Sequence, residues 1–147
     1  EIIMSDRPLQ DPLLTCRFHV EIEGIIAAGF SEVSGLDVQL ETEEYREGGL
    51  NSHTHKLPKG TKYPNITLKR GFTDSDALWK WHRAAVNERI DYKNGAIIFM
   101  DAQGNQKWRW EFEDAYPVKW TGPALTGNGN TVALETLEIA HSGLTKG

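Results

Sequence analysis

The stretch Thr131–Gly143, TVALETLEIAHSG, decides the fold class. It opens as an alternating strand, with Val132 and Leu134 on one face and Thr131, Ala133 and Glu135 on the other. Strand side chains point to alternate sides, so a half-buried strand reads as apolar residues two apart. Past Glu135 the phase changes, because Leu137 and Ile139 are apolar where Thr136 and Glu138 would continue the first pattern. A period of two cannot shift by one residue without a bulge or a bend, which places one at Glu135–Thr136. The expected core face then takes Leu134 before the bulge and Leu137 after it.

Several other segments alternate in the same way. In Cys16–Glu23, residues Cys16, Phe18, Val20 and Ile22 face one side, against Arg17, His19, Glu21 and Glu23. Gly24 and Gly29 bracket a short apolar run, read as a turn leading into a second strand. Gly35 breaks that region, after which Leu36, Val38 and Leu40 alternate with Asp37, Gln39 and Glu41. From Thr42 to Glu47 this strand becomes acidic, and it is expected to reach beyond the body towards a partner. Ile66 and Leu68 mark a short strand ending at Arg70–Gly71. Ala96–Met100 is almost wholly apolar, the pattern of a central strand. Asp101–Asn105 (DAQGN) reads as a hairpin turn, with Gly104 suited to positive φ. The returning strand sets Trp108, Trp110 and Phe112 on the expected core face, against Lys107, Arg109, Glu111 and Glu113, and Pro117 ends or edges its pairing with Ala96–Met100.

One helix is predicted, Thr73–Ile90. Thr73 or Asp74 can accept its free N–H groups, and Asp76 adds negative charge to the first turn. Trp79, Trp81, His82, Ala85, Val86 and Ile90 lie on the half of the wheel that also holds Leu78. This arc of roughly 180° exceeds the ~100° stripe of a helix packed on one surface. Trp79, Trp81 and His82 are therefore expected to serve both packing and a subunit contact, with His82 a packed, hydrogen-bonded histidine. Two segments lack periodicity: Thr121–Asn130, and the longer Arg46–Pro64, REGGLNSHTHKLPKGTKYP. Compact domains seldom keep a loop of that length without a reason, usually a binding role or disorder.

The composition narrows the function. A chain of 147 residues is long enough for one domain with its own core. No stretch approaches the roughly 18–20 apolar residues of a membrane helix, and the residues given carry no secretory pattern. The single cysteine excludes an intrachain disulfide, and Cys16, in strand phase, reads as a small buried residue. There are 21 acidic against 16 basic residues, a net charge of −5, which argues against a phosphate-gripping surface. Residues 1–13 contain Pro8 and Pro12 and show no period, so they read as an arm ordered only by a neighbour, ahead of a domain over 14–147. Met4 can be the natural start, with Glu1–Ile3 added ahead of it.

Catalytic and metal patterns are sparse. His53 and His55 form an H-x-H pair, but no second cluster with ligand spacing accompanies them. Cys16 lacks the surroundings of a nucleophile, and there is no G-x-S-x-G elbow, P-loop or G-x-G-x-x-G. Glu21/Glu23 and Glu41/Glu43 sit two apart on strand faces, whereas glycosidase carboxylates flank a cleft. His141 reads as structural. No enzyme, metal or cofactor is expected. Five tryptophans leave one alternative open, a carbohydrate- or ligand-binding β-sandwich.

Between about Leu14 and Leu144 the chain carries a series of segments in fixed order. They are FSEVSGLDV (Phe30–Val38), EYREGG (Glu44–Gly49), KLPKGTKYPNITLKRG (Lys56–Gly71), LWKWH (Leu78–His82), KNGAIIFMDAQGN (Lys93–Asn105) and WEFEDAYPVKW (Trp110–Trp120), followed by the closing strand. Together they resemble the tail tube proteins of T4-like phages and of contractile injection systems. That family's closing run is typically E-x-L-E-[IL]-A-H-E-G, and here Ser142 stands where the second Glu usually stands. The resemblance implies a mainly β fold, a barrel or sandwich of two packed antiparallel sheets with one flanking helix. It implies hexameric rings stacked into a tube, with a channel for DNA or effector protein. It further implies sheath and baseplate or cap proteins as partners, no membrane, and assembly in the bacterial cytoplasm as part of a phage tail or tail-like particle. The non-periodic segment, with Arg46, Glu47, Asn51, His53, His55, Lys56, Lys59 and Lys62, would then contact the adjacent ring. Phe18, Val20, Trp108, Trp110, Phe112, Leu134 and Leu137 are the expected core.

Overall fold

The computed structural model describes residues 17–25, 29–46, 54–87, 89–127, 129 and 132–147. The expected arm (1–13), Cys16 and residues 26–28 lie outside these. Among the described residues there are nine strands and one helix, so the fold is mainly β.

Seven strands form one rolled antiparallel sheet. Its path runs β1 (Phe18–Ile22), β6 (Lys93–Met100), β7 (Gln106–Thr121), β8 (Leu134–Ala140), β5 (Ile66–Gly71), β2 (Phe30–Ser34), and β9 (Gly143–Lys146) pairs with β7. The 16-residue β7 makes two layers out of one path. Its first half pairs with β6 and β9, and from Tyr116 onward it pairs with β8. β7 runs on past the end of its β6 ladder at Ala115, so the pairing with β6 does stop short of Pro117. That residue sits at a register shift between Pro117 and Lys119, where the ladder tolerates a residue without an N–H. Just before it, Asp114 adopts φ 52°, and its N–H donates to Asn94 Oδ1 at 3.0 Å.

The core lies between the two layers. Val20, Ile22, Ile97, Phe112 and Leu144 meet Ile66, Leu68, Leu137 and Ile139, with Leu78 and Trp81 of the helix. Phe18 and Trp110 are partly buried against this cluster. Trp108 departs from the expectation: it is 40% exposed. Burial falls along that face of β7 from Phe112 through Trp110 to Trp108 as the strand approaches its hairpin, so correct phase did not guarantee cover.

The closing strand corrects the opening inference. β8 runs against β5 from Leu134 to Ile139 without a register shift, so there is no bulge at Glu135–Thr136. Glu135, Leu137 and Ile139 all face inward, at 2%, 0% and 0% exposure, while Leu134 is 39% and Val132 75% exposed. The phase never slipped. A glutamate occupies a core position because its charge is paired there, and Leu134 lies outside. After a break at His141–Ser142 the chain continues antiparallel to β7 as β9, now against Trp110–Glu113, a strand that the sequence pattern did not separate from β8.

The helix α1 spans Ala77–Asn87, shorter than expected. Thr73 Oγ1 accepts from Ser75 N at 3.2 Å in a turn, and the first helical bond runs from Lys80 N to Asp76 O at 2.8 Å. Asp76 is thus the N-cap and does not enter the first turn.

The largest correction concerns Arg46–Pro64. Thr54–Lys62 forms β4, which pairs along its length with β3 (Gln39–Arg46) in a two-stranded sheet of its own. Pro58 and Gly60 break the apolar alternation by which a strand is recognised, so a ribbon read as a loop.

Candidate assembly surfaces

In the ribbon, Gln39 lies opposite Lys62, Glu44 opposite Lys56, Tyr45 opposite His55 and Arg46 opposite Thr54. The register shifts at Glu41/Thr42, and Lys59 is the extra residue, without a Cα partner. An acidic strand is thereby set against a basic one, which favours their pairing. Lys59, Lys62, Glu43 and Glu44 are exposed. Glu47, Asn51 and His53 fall outside the described residues. A two-stranded ribbon alone is marginally stable in water, so covering by a partner would add to its stability.

The roll is not closed. β1 and β2 end the strand path, and neither pairs with the other among the described residues. Between them lies a cavity of about 340 Å³, lined by Phe18, Val33, Leu36, Ile97, Phe99 and Trp110 among others. Gly35, at φ 88°, carries the chain past this opening, and a Cβ there would stand 2.1 Å from the Asn65 carbonyl oxygen. Only glycine fits so close an approach.

The helix divides its aromatic residues. Trp81 is buried at 4% exposure, and its Nε1 donates to Asp91 O at 2.8 Å. Trp79 is 40% exposed, edge-to-face with Trp120 at 4.8 Å, with the Arg83 guanidinium 5.5 Å from its ring. His82 is half-buried. Its Nδ1 has no partner among the described residues, contrary to the hydrogen-bonded reading.

A buried charge network lies beneath these surfaces. Arg70 and Glu135 are opposed across β5 and β8, at 3% and 2% exposure, and Arg70 Nε donates to Glu135 Oε1 at 2.5 Å. Trp120 Nε1 donates to Glu135 Oε2 at 2.9 Å, and Arg70 Nη2 reaches Ser75 O at 3.5 Å. One ion pair therefore ties together β5, β8, the second half of β7 and the approach to α1. The sequence held a signal for it, since Arg70 is in phase with Ile66 and Leu68, and Glu135 with Leu137 and Ile139. Two charges in core phase on separate strands call for each other.

Elsewhere polar groups fasten turns. Both ring nitrogens of His141 face main-chain carbonyls, Gly143 O at 3.1 Å and Pro64 O at 3.2 Å, which pins the β8–β9 junction to the segment between the ribbon and β5. Ser142 Oγ lies 3.2 Å from Glu113 O and 3.3 Å from Asp114 Oδ2. Asp101 accepts from the N–H groups of Asn105 and Gln103, each at 2.9 Å, and the Asn105 bond above all holds its carboxyl below the usual pKa. Among the described residues, no group of three or more His, Cys, Asp and Glu is arranged to hold a metal ion.

No curated protein matches the chain. Solved structures do. A chain in the extended-state sheath–tube complex of an extracellular contractile injection system (PVC) superposes with TM-score 0.82 at 25% identity, over 100% of this chain and 99% of that one. A chain in the anti-feeding prophage tube-terminating cap gives TM-score 0.82 at 26% identity, over 95% and 93%. Hcp1 from Flavobacterium johnsoniae shares the fold, with TM-score 0.61 at 22% identity over 88% and 94%. These matches lend no support to a carbohydrate-binding module. The family described as T4-like virus tail tube protein gp19 matches residues 14–145. The chain belongs to that family, the structural tube proteins of phage tails and tail-like injection particles.

Proposed function

We propose that this protein is the repeating subunit of the inner tube of a contractile tail or injection particle. In this reading residues 14–147 form the tube domain. Subunits close into hexameric rings, and the rings stack around a channel that passes DNA or effector protein. The role is structural, without catalysis or cofactor. Sheath and baseplate or cap proteins are its other partners, and assembly takes place in the bacterial cytoplasm. The acidic balance of the chain suits a channel to which an acidic cargo does not adhere.

The observation that carries the reading is the β3–β4 ribbon, a two-stranded sheet hydrogen-bonded to no other strand among the described residues. Family membership supplies the kind of partner, a second ring. The contact would run through the ribbon's Arg46, His55, Lys56, Lys59 and Lys62, together with Glu47, Asn51 and His53 of the chain segment between its two strands. Replacing Asn51–Lys59 by a short Gly/Ser link tests it by native mass spectrometry and negative-stain microscopy. Single rings without tubes are the expected product. Tubes of parental length from that variant would remove the ribbon from ring stacking.

A further inference from the structure

Both polar neighbours of the His141 ring are hydrogen-bond acceptors. Its Nδ1 lies 3.1 Å from Gly143 O and its Nε2 3.2 Å from Pro64 O, and a main-chain carbonyl can only accept. A neutral imidazole carries one N–H, so it donates to one of these oxygens and turns a nitrogen lone pair towards the other. The imidazolium carries two and satisfies both. The contacts join distant parts of the chain. Gly143 opens β9, whose Leu144 is buried in the core, and Pro64 lies between Lys62, the last residue of the ribbon, and Ile66, the first of β5. The ring itself is half-buried, with the Tyr63 ring centre 5.6 Å and the Phe112 ring centre 6.5 Å from its own. Asp114 and Tyr116 of β7 line a cavity together with His141, joined by Tyr92 from the segment ahead of β6 and by Ala140 and Ser142 beside the ring. Asp114 supplies the one carboxylate of that lining, which includes no lysine or arginine. A neighbouring negative charge favours the charged form of a histidine.

We infer that His141 is a proton-dependent clasp. As an imidazolium it ties the foot of the ribbon to the start of β9, and on losing a proton it lets go of one of the two. The clasp belongs to the single chain and stands apart from the proposed tube function. With the proton the folded chain gains a hydrogen bond that the unfolded chain does not make, so folding favours the protonated ring. The gain is whole at the acidic end of the range in which histidine changes charge, about pH 5, and is lost as the pH rises towards about 8.

NMR of the parent and denaturation of His141→Gln test the clasp. At pH 5 both ring N–H protons of His141 should be visible, shielded from exchange by the two carbonyls, and at pH 8 only one. Glutamine offers an amide donor on a side chain that does not titrate, so it stands for the singly bonded ring. Urea denaturation should find the parent favoured over His141→Gln by about tenfold in the folding equilibrium at pH 5, the scale of one hydrogen bond to a charged group, and by much less at pH 8. Fewer than two protected ring protons at pH 5 would overturn the inference, as would an advantage over the variant that is the same at both pH values. The NMR reading is made on the parent alone, so it decides the question even where His141→Gln fails to fold.

Discussion

Gly95 of β6 lies directly opposite Phe112 of β7, and a Cβ at position 95 would stand 2.4 Å from the Phe112 ring and 2.4 Å from the Glu21 carbonyl oxygen. The ring, 1% exposed, occupies the space that a side chain at 95 would need. Gly95→Ala should therefore force the central strand and the ring apart. Overpacking of this kind costs on the order of 1–3 kcal/mol, and the rigid backbone contact puts this site at the upper end. Urea denaturation measures it, and an unchanged midpoint would mean that the ring is free to move aside.

Arg70 and Glu135 should behave unequally as single and double variants. Arg70→Met leaves a carboxylate buried with only Trp120 to satisfy it, and breaking a buried pair in this way costs about 3–5 kcal/mol. Arg70→Met combined with Glu135→Leu removes both charges, and apolar replacements of a buried pair are often neutral or stabilising. The double variant should thus melt well above the single one. Equal losses in both would place the value of the pair in its hydrogen bonds to Trp120 and Ser75.

Trp110 and Trp108 are two apart on one face of β7, yet they should differ in cost. Trp110→Ala opens a partly buried site beside the core, for about 2–3 kcal/mol, below the 3–5 of a fully buried aromatic. Trp108→Ala removes an exposed ring and the contact of Lys146 Nζ 4.8 Å from its centre, for about 1 kcal/mol or less. Chemical denaturation of both variants separates the two, and comparable losses would show Trp108 to be core after all.

The Asp101 turn should lend the β6–β7 hairpin an acid-sensitive share of stability. Its carboxyl titrates below the ordinary value, chiefly through the Asn105 N–H, so its stabilisation is complete above about pH 4 and disappears as the pH falls through the lowered folded value. Asp101→Asn should shrink the difference in melting temperature between neutral and strongly acidic solution. An NMR titration of Asp101 with a midpoint at or above the usual carboxylate value would contradict the turn geometry.

The sequence by itself determined the class of fold, most of the strands and the place of the one helix. Those features are local: alternation over Phe18–Ile22, the apolar run at Ala96–Met100 and the helical spacing from Leu78 to Val86 are written in adjacent residues. It also carried the family, through ordered segments spread along the chain. Only the tertiary structure decided the rest. Glu135 can be a core residue because Arg70, 65 positions away, stands opposite it; its phase with Leu137 and Ile139 is written in β8, but the partner that permits its burial is not. Trp108 shares the phase of Phe112 but lies where cover runs out. Thr54–Lys62 is a strand because β3 offers it hydrogen bonds and opposite charge, although Pro58 and Gly60 erase its local signal. A side chain's phase is set by its neighbours in sequence, whereas its burial and its partner are set by what the fold brings across from other strands.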